Sequence, residues 1–332
     1  MTERRRDPTT DEWRMFASHR QGRTFLPPAD HCPLCPTRPG HAPTEIALPA
    51  FDVVVFENRF PSLVADPPAP DVASSPLYEV APSHGANEVV VYSDDHHLEV
   101  ADMEVAKITK IVEVWADRYA ALGSRDEVEY VLVFENRGEA MGVTLNHPHG
   151  QIYAYPEVPS RPRLELTTAA AHLEELGTCV FCDVVARERA DGARIIAQNH
   201  AFLAFVPFAA RYPYEIHVMA HRHAPSLVDL TDPERRALAA LLKVVLGAYD
   251  RLFGFPLPYV MAMHQSPTDD GQWQAVSHFH MEFMPPHRTA DKLKYLAGSE
   301  LGGGAYINDT RPEATAAALR EAVLREATRR SD

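Results

Sequence analysis

No run of this sequence approaches 18 consecutive apolar residues, which excludes a membrane-spanning helix of ordinary composition. The first residues, MTERRRDPTTDEW, are basic but lack the apolar stretch of a secretory leader, so a cytoplasmic protein is expected. Positive charge is short. Against 46 acidic residues there are 32 Lys and Arg, a formal charge of −14. That balance argues against nucleic acid or an acidic membrane as the main partner. It leaves a small phosphorylated substrate open, because a few arginines in a cleft suffice. Cysteine is scarce too: Cys32, Cys35, Cys179 and Cys182 make two CxxC pairs. In a reducing compartment that spacing favours metal or redox chemistry over structural disulfides.

What remains is ordinary globular material, 45% hydrophobic and 23% charged over 332 residues, long for one simple core and short for three domains. Positions 1–50 and 61–82 are rich in proline and polar groups and read as loop. Strands are expected at 51–58, 87–93, 129–136 and 151–155. Apolar residues at Val105, Ile108, Ile111, Val112, Trp115 and Tyr119 predict a helix over 101–122. The second half offers strands at 201–208, 215–220, 259–264 and 278–284. Its helices are signalled by Thr231-Asp232-Pro233-Glu234 and Thr310-Arg311-Pro312-Glu313.

The two halves repeat. Cys32-x-x-Cys35 matches Cys179-x-x-Cys182, and VVVYSDDH ending at His96 matches IHVMAHRH ending at His223. VLVFENRG matches VMAMHQSP, setting Asn136 opposite His264, and HPHGQIY (147–153) matches HFHMEFM (278–284). The order of rare residue types is kept throughout, so the expected architecture is α+β: two copies of one unit, residues 1–176 and 177–332, meeting across a shared or abutting sheet.

A tetrahedral zinc wants four soft or borderline donors. Cys32, Cys35, His96 and His147 supply one such set, and Cys179, Cys182, His223 and His278 a second. A redox role for the pairs is less favoured, since neither is expected to precede a helix in a thioredoxin-like βαβ unit. If His147 is a ligand, His149 on the same strand face is left for chemistry as a neutral nucleophile. Gln151 faces the same way, and its amide can stabilise a phosphoryl oxygen but cannot act as a general acid. The pair therefore suits a leaving group that needs no proton, such as a sugar phosphate.

HPHGQ, preceded by FENRGEAMG (134–142), resembles the active-site signature of the galactose-1-phosphate uridylyltransferase family, which belongs to the histidine-triad (HIT) superfamily and carries two tandem HIT-like repeats. The similarity runs from SHRQGR (18–23) through CPLC, FENRF, SDDH and MPP to KLKYLAGSE (292–300), nearly the whole chain. It implies an antiparallel sheet with flanking helices and a ping-pong reaction. His149 would take UMP from UDP-glucose, releasing glucose 1-phosphate, and galactose 1-phosphate would then collect it, with Gln151 holding the phosphoryl group.

The resemblance further implies phosphate or sugar contacts from Arg20, Arg23, Asn136, Gly142, Val143 and Thr144. It places Asn58 near the uridine ribose, and Lys294, Tyr295, Ala297 and Glu300 at the hexose phosphate. It implies a homodimer whose sites borrow residues from the neighbour. Some relatives hold a second metal, zinc or iron, with a glutamate and three histidines. Here Glu165, His264 and His280 match, while the third histidine position is Glu282. The glutamine expected near Ile307 or Asn308 for the hexose is missing. Competing readings are an ADP-sugar phosphorylase on the same scaffold, a HIT-type nucleotide hydrolase, which would carry histidine where Gln151 stands, and a zinc-stabilised binding module without turnover.

Overall fold

A computed structural model describes residues 2–22, 27, 31–40 and 42–331. In chain order it contains β1 (Thr2–Asp7), β2 (Glu12–Ala17), β3 (Val54–Glu57), β4 (Val80–Pro82) and β5 (Ala86–Val91). Then come α1 (Val105–Gly123), β6 (Tyr130–Arg137), β7 (His149–Tyr155), α2 (Ser160–Leu176), α3 (Val180–Asp191) and β8 (Ile195–Gln198). They are followed by β9 (Phe202–Phe205), β10 (Ile216–Ala220), α4 (Asp232–Leu252), β11 (Tyr259–His264) and β12 (His280–Met284). The small hairpin β13 (His287–Thr289) and β14 (Lys292–Leu293) and the helix α5 (Pro312–Ser331) complete it.

Nine strands form one antiparallel sheet in the order β3-β5-β7-β6-β11-β12-β10-β9-β8. The order makes the repeat physical. Outward from the β6–β11 pair, β7 and β12 correspond, then β5 and β10, then β3 and β9. The expected α+β arrangement of two units on a common sheet is thus what the chain forms.

Residues alternate between the two faces of each strand. One face carries Val90, Tyr92, Val133, Ile152, Met261, Met281, Phe283 and Val218, all buried in one core under α1 and α4. α1 joins it through Ile108, Ile111, Val112, Trp115 and Tyr119, the spacing of one helical stripe. α4 starts where the Thr231 backbone N–H and hydroxyl both donate to the Glu234 carboxylate, each at 2.8 Å. The opposite face carries Val89 and Val91 in the first half and Leu203, Phe205 and Met219 in the second, each in a small cluster of its own. This second face holds the chemistry-bearing residues.

Three expectations fail. Positions 2–7 and 12–17 are paired strands rather than loop, and Val80–Pro82 adds a third strand to that small sheet. Backbone ladders hold it, with Arg6 reaching Glu79 at 2.9 Å; β1 is polar throughout, and the apolar alternation of Trp13, Met15 and Ala17 is confined to β2. α2 and α3 lie in a stretch where no helix was expected. α2 buries only Pro162, Leu166 and Ala169, and α3 only Val185 and Glu188, too few to print a period.

Candidate active site

The loop bearing Cys32 and Cys35 folds against β5, where Cys32, Leu34 and Ile46 pack on Val89 and Val91. This brings the four predicted donors together: the ligating atoms of Cys32, Cys35, His96 and His147 lie within 4.8 Å of one another. Cys35 Sγ stands 3.4 Å from His96 Nδ1 and 3.5 Å from His147 Nδ1. Around a tetrahedral zinc, bonds of about 2.3 Å to sulfur and 2.0 Å to nitrogen put S and N about 3.5 Å apart. His147 Nε2 donates to the Ser93 carbonyl at 2.7 Å, which leaves Nδ1 as the lone-pair nitrogen facing the thiols. Burial pushes the Cys35 thiol up to about 11 and His147 down to about 4. A divalent cation would overturn the first preference and use the second, since it needs thiolate and neutral imidazole.

His147 ends this loop and β7 begins two residues later. His149 Nδ1 donates to the His147 carbonyl at 2.7 Å, so its other nitrogen, Nε2, carries the lone pair. Gln151 follows on the same face, opposite Val89 on β5 and Phe134 on β6. Its Oε1 accepts from Tyr153 Oη at 3.4 Å and lies 3.5 Å from Asn58 Nδ2. The amide is thus held through its oxygen.

Gly150 between them has no room for a side chain. A Cβ there would lie 2.2 Å from the Tyr92 hydroxyl. Tyr92 fills the core side of the strand fully buried, near Glu135, whose carboxyl burial raises while Tyr259 Oη donates to it at 2.6 Å. The sequence suggests no packing purpose for the glycine of HPHGQ; the structure corrects this, because the Tyr92 hydroxyl leaves no space for a Cβ.

Of the residues expected to touch substrate, Arg20 reaches the cleft: its Nη1 donates to the Phe60 carbonyl at 2.9 Å and to Tyr153 Oη at 3.4 Å. Asn58 joins Gln151. Asn136 sits two positions beyond Phe134 on the same face of β6. Gly142 takes the left-handed conformation, φ 73°, at the end of a short turn, followed by buried Val143 and half-buried Thr144. Arg23 lies outside the described residues. Lys294, Ala297 and Glu300 form a group of their own: Lys294 Nζ pairs with Glu300 at 3.0 Å and also donates to the Ile307 carbonyl. The Ala297 N–H meets Glu300 at 3.2 Å, and Lys294 holds the Glu300 carboxyl down to about 2. Tyr295 projects from this loop 76% exposed.

The second predicted set also assembles. Cys182 Sγ is 3.6 Å from both His223 Nδ1 and His278 Nδ1, and their Nε2 atoms donate to the Gln274 and Ala220 carbonyls at 2.7 and 3.1 Å. One premise of the redox argument is corrected here. Cys179 is the N-cap of α3, so this pair does precede a helix. What comes before it is α2, not a strand, and the βαβ context is absent.

Glu165, His264, His280 and Glu282 converge as a third group, again within 4.8 Å. Glu165 accepts from His264 Nδ1 at 2.7 Å, and Glu282 is buried, not a solvated surface carboxylate. Burial opposes ionisation of Glu165, but His264 overrides it and lowers its pKa. Sequence reasoning missed Glu215, His217 and Arg211. His217 lies 3.0 Å from Glu215 and 3.4 Å from Glu282, and Arg211 bonds both carboxylates. Strand alternation was the available signal, because His217 pairs directly with Glu282 across β10 and β12.

Known proteins share this arrangement. Residues 1–159 match the family described as galactose-1-phosphate uridyl transferase, N-terminal domain, and residues 165–330 match its C-terminal domain. Galactose-1-phosphate uridylyltransferase from Thermotoga maritima is 40% identical over 322 residues, covering 97% of this chain and 98% of the relative. A solved uridylyltransferase superposes with a TM-score of 0.87 at 37% identity, covering 97% of this chain and 99% of that one. An ADP-glucose phosphorylase from Arabidopsis thaliana superposes with a TM-score of 0.71 at 25% identity, covering 97% and 99%. Conserved order of motifs, the two-unit sheet and matches across both halves agree, and the chain belongs to the galactose-1-phosphate uridylyltransferase family.

Proposed function

We propose that the protein transfers UMP from UDP-glucose to galactose 1-phosphate through a uridylyl group carried on His149. The observation that carries this is the His149 tautomer: Nδ1–H on the His147 carbonyl leaves Nε2 to attack. Nε2 forms a bond to the α-phosphorus while the bond to the glucose 1-phosphate oxygen breaks. That phosphate leaves as an anion and needs no proton, consistent with an amide at position 151. A galactose 1-phosphate oxygen then attacks the same phosphorus and Nε2 departs. Gln151 N–H groups would steady the charge on the phosphoryl oxygens in both steps. Asn58 and Tyr153 hold the amide through its oxygen, and Arg20 beside Tyr153 supplies positive charge.

The Cys32, Cys35, His96, His147 set would hold a zinc that locks the loop ahead of β7, and the Cys179, Cys182, His223, His278 set a second. Structural zinc contributes folding free energy and leaves no open position. The chain divides near residue 176 into its two units. The exposed loop of Tyr295 suits a homodimer in which each copy offers Lys294–Glu300 to the neighbour's site, with Asn136, Gly142, Val143 and Thr144 lining it from within. A cytoplasmic setting, where sugar phosphates are found, fits this chemistry.

The ADP-sugar alternative needs only a different base pocket, so one experiment separates the two. Intact-mass spectrometry after brief incubation with UDP-glucose alone should show one UMP added per chain. Galactose 1-phosphate should remove it, and peptide mapping should place it on His149. An adduct formed from ADP-glucose in its place would transfer the assignment to adenylyl chemistry. No adduct with either donor would overturn covalent transfer.

A further inference from the structure

The second unit has its own version of the reacting strand. His280 and Glu282 occupy on β12 the places His149 and Gln151 occupy on β7, and His280 Nδ1 donates to the His278 carbonyl at 2.8 Å as His149 does to His147 at 2.7 Å. His280 Nε2 is thereby turned to the same sheet face, 3.8 Å from Glu165. His264 stands directly across from it in the β11–β12 ladder. A cavity of about 20 Å³ lies among Glu165, His264 and His280, enough for a single water or ion.

This group differs from the two cysteine sets in what adjoins it. Glu165, His217, His280 and Glu282 form one wall of a cavity of about 820 Å³ running out under α2 and α3. Phe181, Phe205 and Phe208 line it elsewhere, with Arg161 and Arg187 also on its walls. That volume falls in the range of small-molecule sites, about 300–1,000 Å³. Two imidazoles and two carboxylates leave open positions on a five- or six-coordinate cation, and a donor set with oxygen in it suits manganese or iron as well as zinc.

We propose that the second unit binds a nucleoside phosphate in this cavity, its phosphate joining a divalent metal held by Glu165, His264, His280 and Glu282. Charge makes the metal obligatory. Glu165, Glu282, Asp183, Glu188 and Asp191 line the cavity, and Arg211 is taken up by Glu215 at 2.9 Å and Glu282 at 2.6 Å. Without a cation the floor repels an anion. With one, the carboxylates are offset, and Arg161, 2.8 Å from Glu165, can turn to the incoming phosphate. The aromatic walls provide faces for a base. This site is separate from His149 and does not rest on the reading given for it.

The probe is UMP, with protein loaded with Mn²⁺ at this group. Equilibrium dialysis should give one more UMP bound per chain than the metal-free group allows, with affinity for that extra equivalent falling about tenfold or more without the metal. The ³¹P signal of bound UMP should broaden beyond detection, since Mn²⁺ relaxes only nuclei in its immediate neighbourhood. Glu165→Gln should lose that manganese, the extra UMP and the broadening. Should Glu165→Gln fail to fold, Zn²⁺ in place of Mn²⁺ in the unaltered protein should keep the extra UMP and abolish the broadening. Metal bound at the group with no additional UMP, additional UMP independent of the metal, or no metal bound at the group at all would each overturn the proposal.

Discussion

The two halves of the sheet present the same backbone to the same side and have come to opposite chemistry. On β7 the sequence is His149-Gly150-Gln151 and on β12 it is His280-Met281-Glu282. In both, a backbone carbonyl two residues back fixes the histidine tautomer. The difference lies in the neighbours. Gln151 has Asn58, Tyr153 and Phe134 beside it, with Arg20 behind Tyr153, whereas Glu282 has Arg211, His217 and the Glu165–His264 pair. A neutral amide with an arginine nearby can meet a phosphoryl anion directly. A carboxylate beside further carboxylates would need a cation first. On the readings proposed above, one residue, amide or acid, would set which ligand each half accepts.

The most severe way to break the comparison is to make the halves alike. Gln151→Glu places a carboxylate where the phosphoryl oxygens develop charge. Transfer should fall about 10³-fold, from loss of a hydrogen-bond donor and added repulsion. Steady-state rates check this, and a loss under tenfold would mean Gln151 is not where charge is stabilised.

Next in size is metal removal from each half in turn. Cys32→Ser should lose one zinc and about 3 kcal/mol or more of stability, because the loop it anchors packs on the sheet through the small cluster around Val89 and Val91. Cys179→Ser should lose one zinc at smaller cost, since α3 is also pinned by Val185 and by the Glu188–Arg194 pair at 2.9 Å. Metal analysis and denaturant melts of both variants decide it; equal losses would show the two zinc loops to be equivalent.

The smallest effect concerns the middle residue. Gly150→Ala drives a Cβ toward the buried Tyr92 hydroxyl and should cost about 2 kcal/mol. Met281 at the matching place on β12 is accommodated with its side chain fully buried in the core. Tyr92→Phe combined with Gly150→Ala should recover part of the loss. If the double variant is no better than the sum of the singles, the hydroxyl is not the obstacle.

These contrasts also measure what could be read from the chain. Of the long helices, α1 was legible from its apolar stripe and α4 from the capping box at Thr231 and Glu234. The metal sets were legible because order and residue type recur while intervening lengths vary. α2 and α3 were not, because they rest on the sheet through a few side chains and expose the rest. The N-terminal ladder was hidden for a different reason: β1 and the stretch around Glu79 are polar, and the alternation of Trp13, Met15 and Ala17 on β2 is short. Glu215 and His217 lay within a predicted strand and Arg211 just before it, yet the meaning of the group depends on which strands are neighbours, a fact fixed only by the fold.

The order of strands at the centre of the sheet has one more consequence, for the ribosome. β6 can pair on its outer side only with β11, and the ladder that joins them begins at Tyr259, 122 residues after Arg137. At a synthesis rate of about 5–20 residues per second, the first unit waits roughly 6–25 s with a central strand unpaired along one edge. An open edge of that kind invites pairing with another nascent chain. A polysome crowded with half-made copies is therefore the setting in which this protein is most exposed to aggregation, and slow codons placed between the two units would lengthen that exposure.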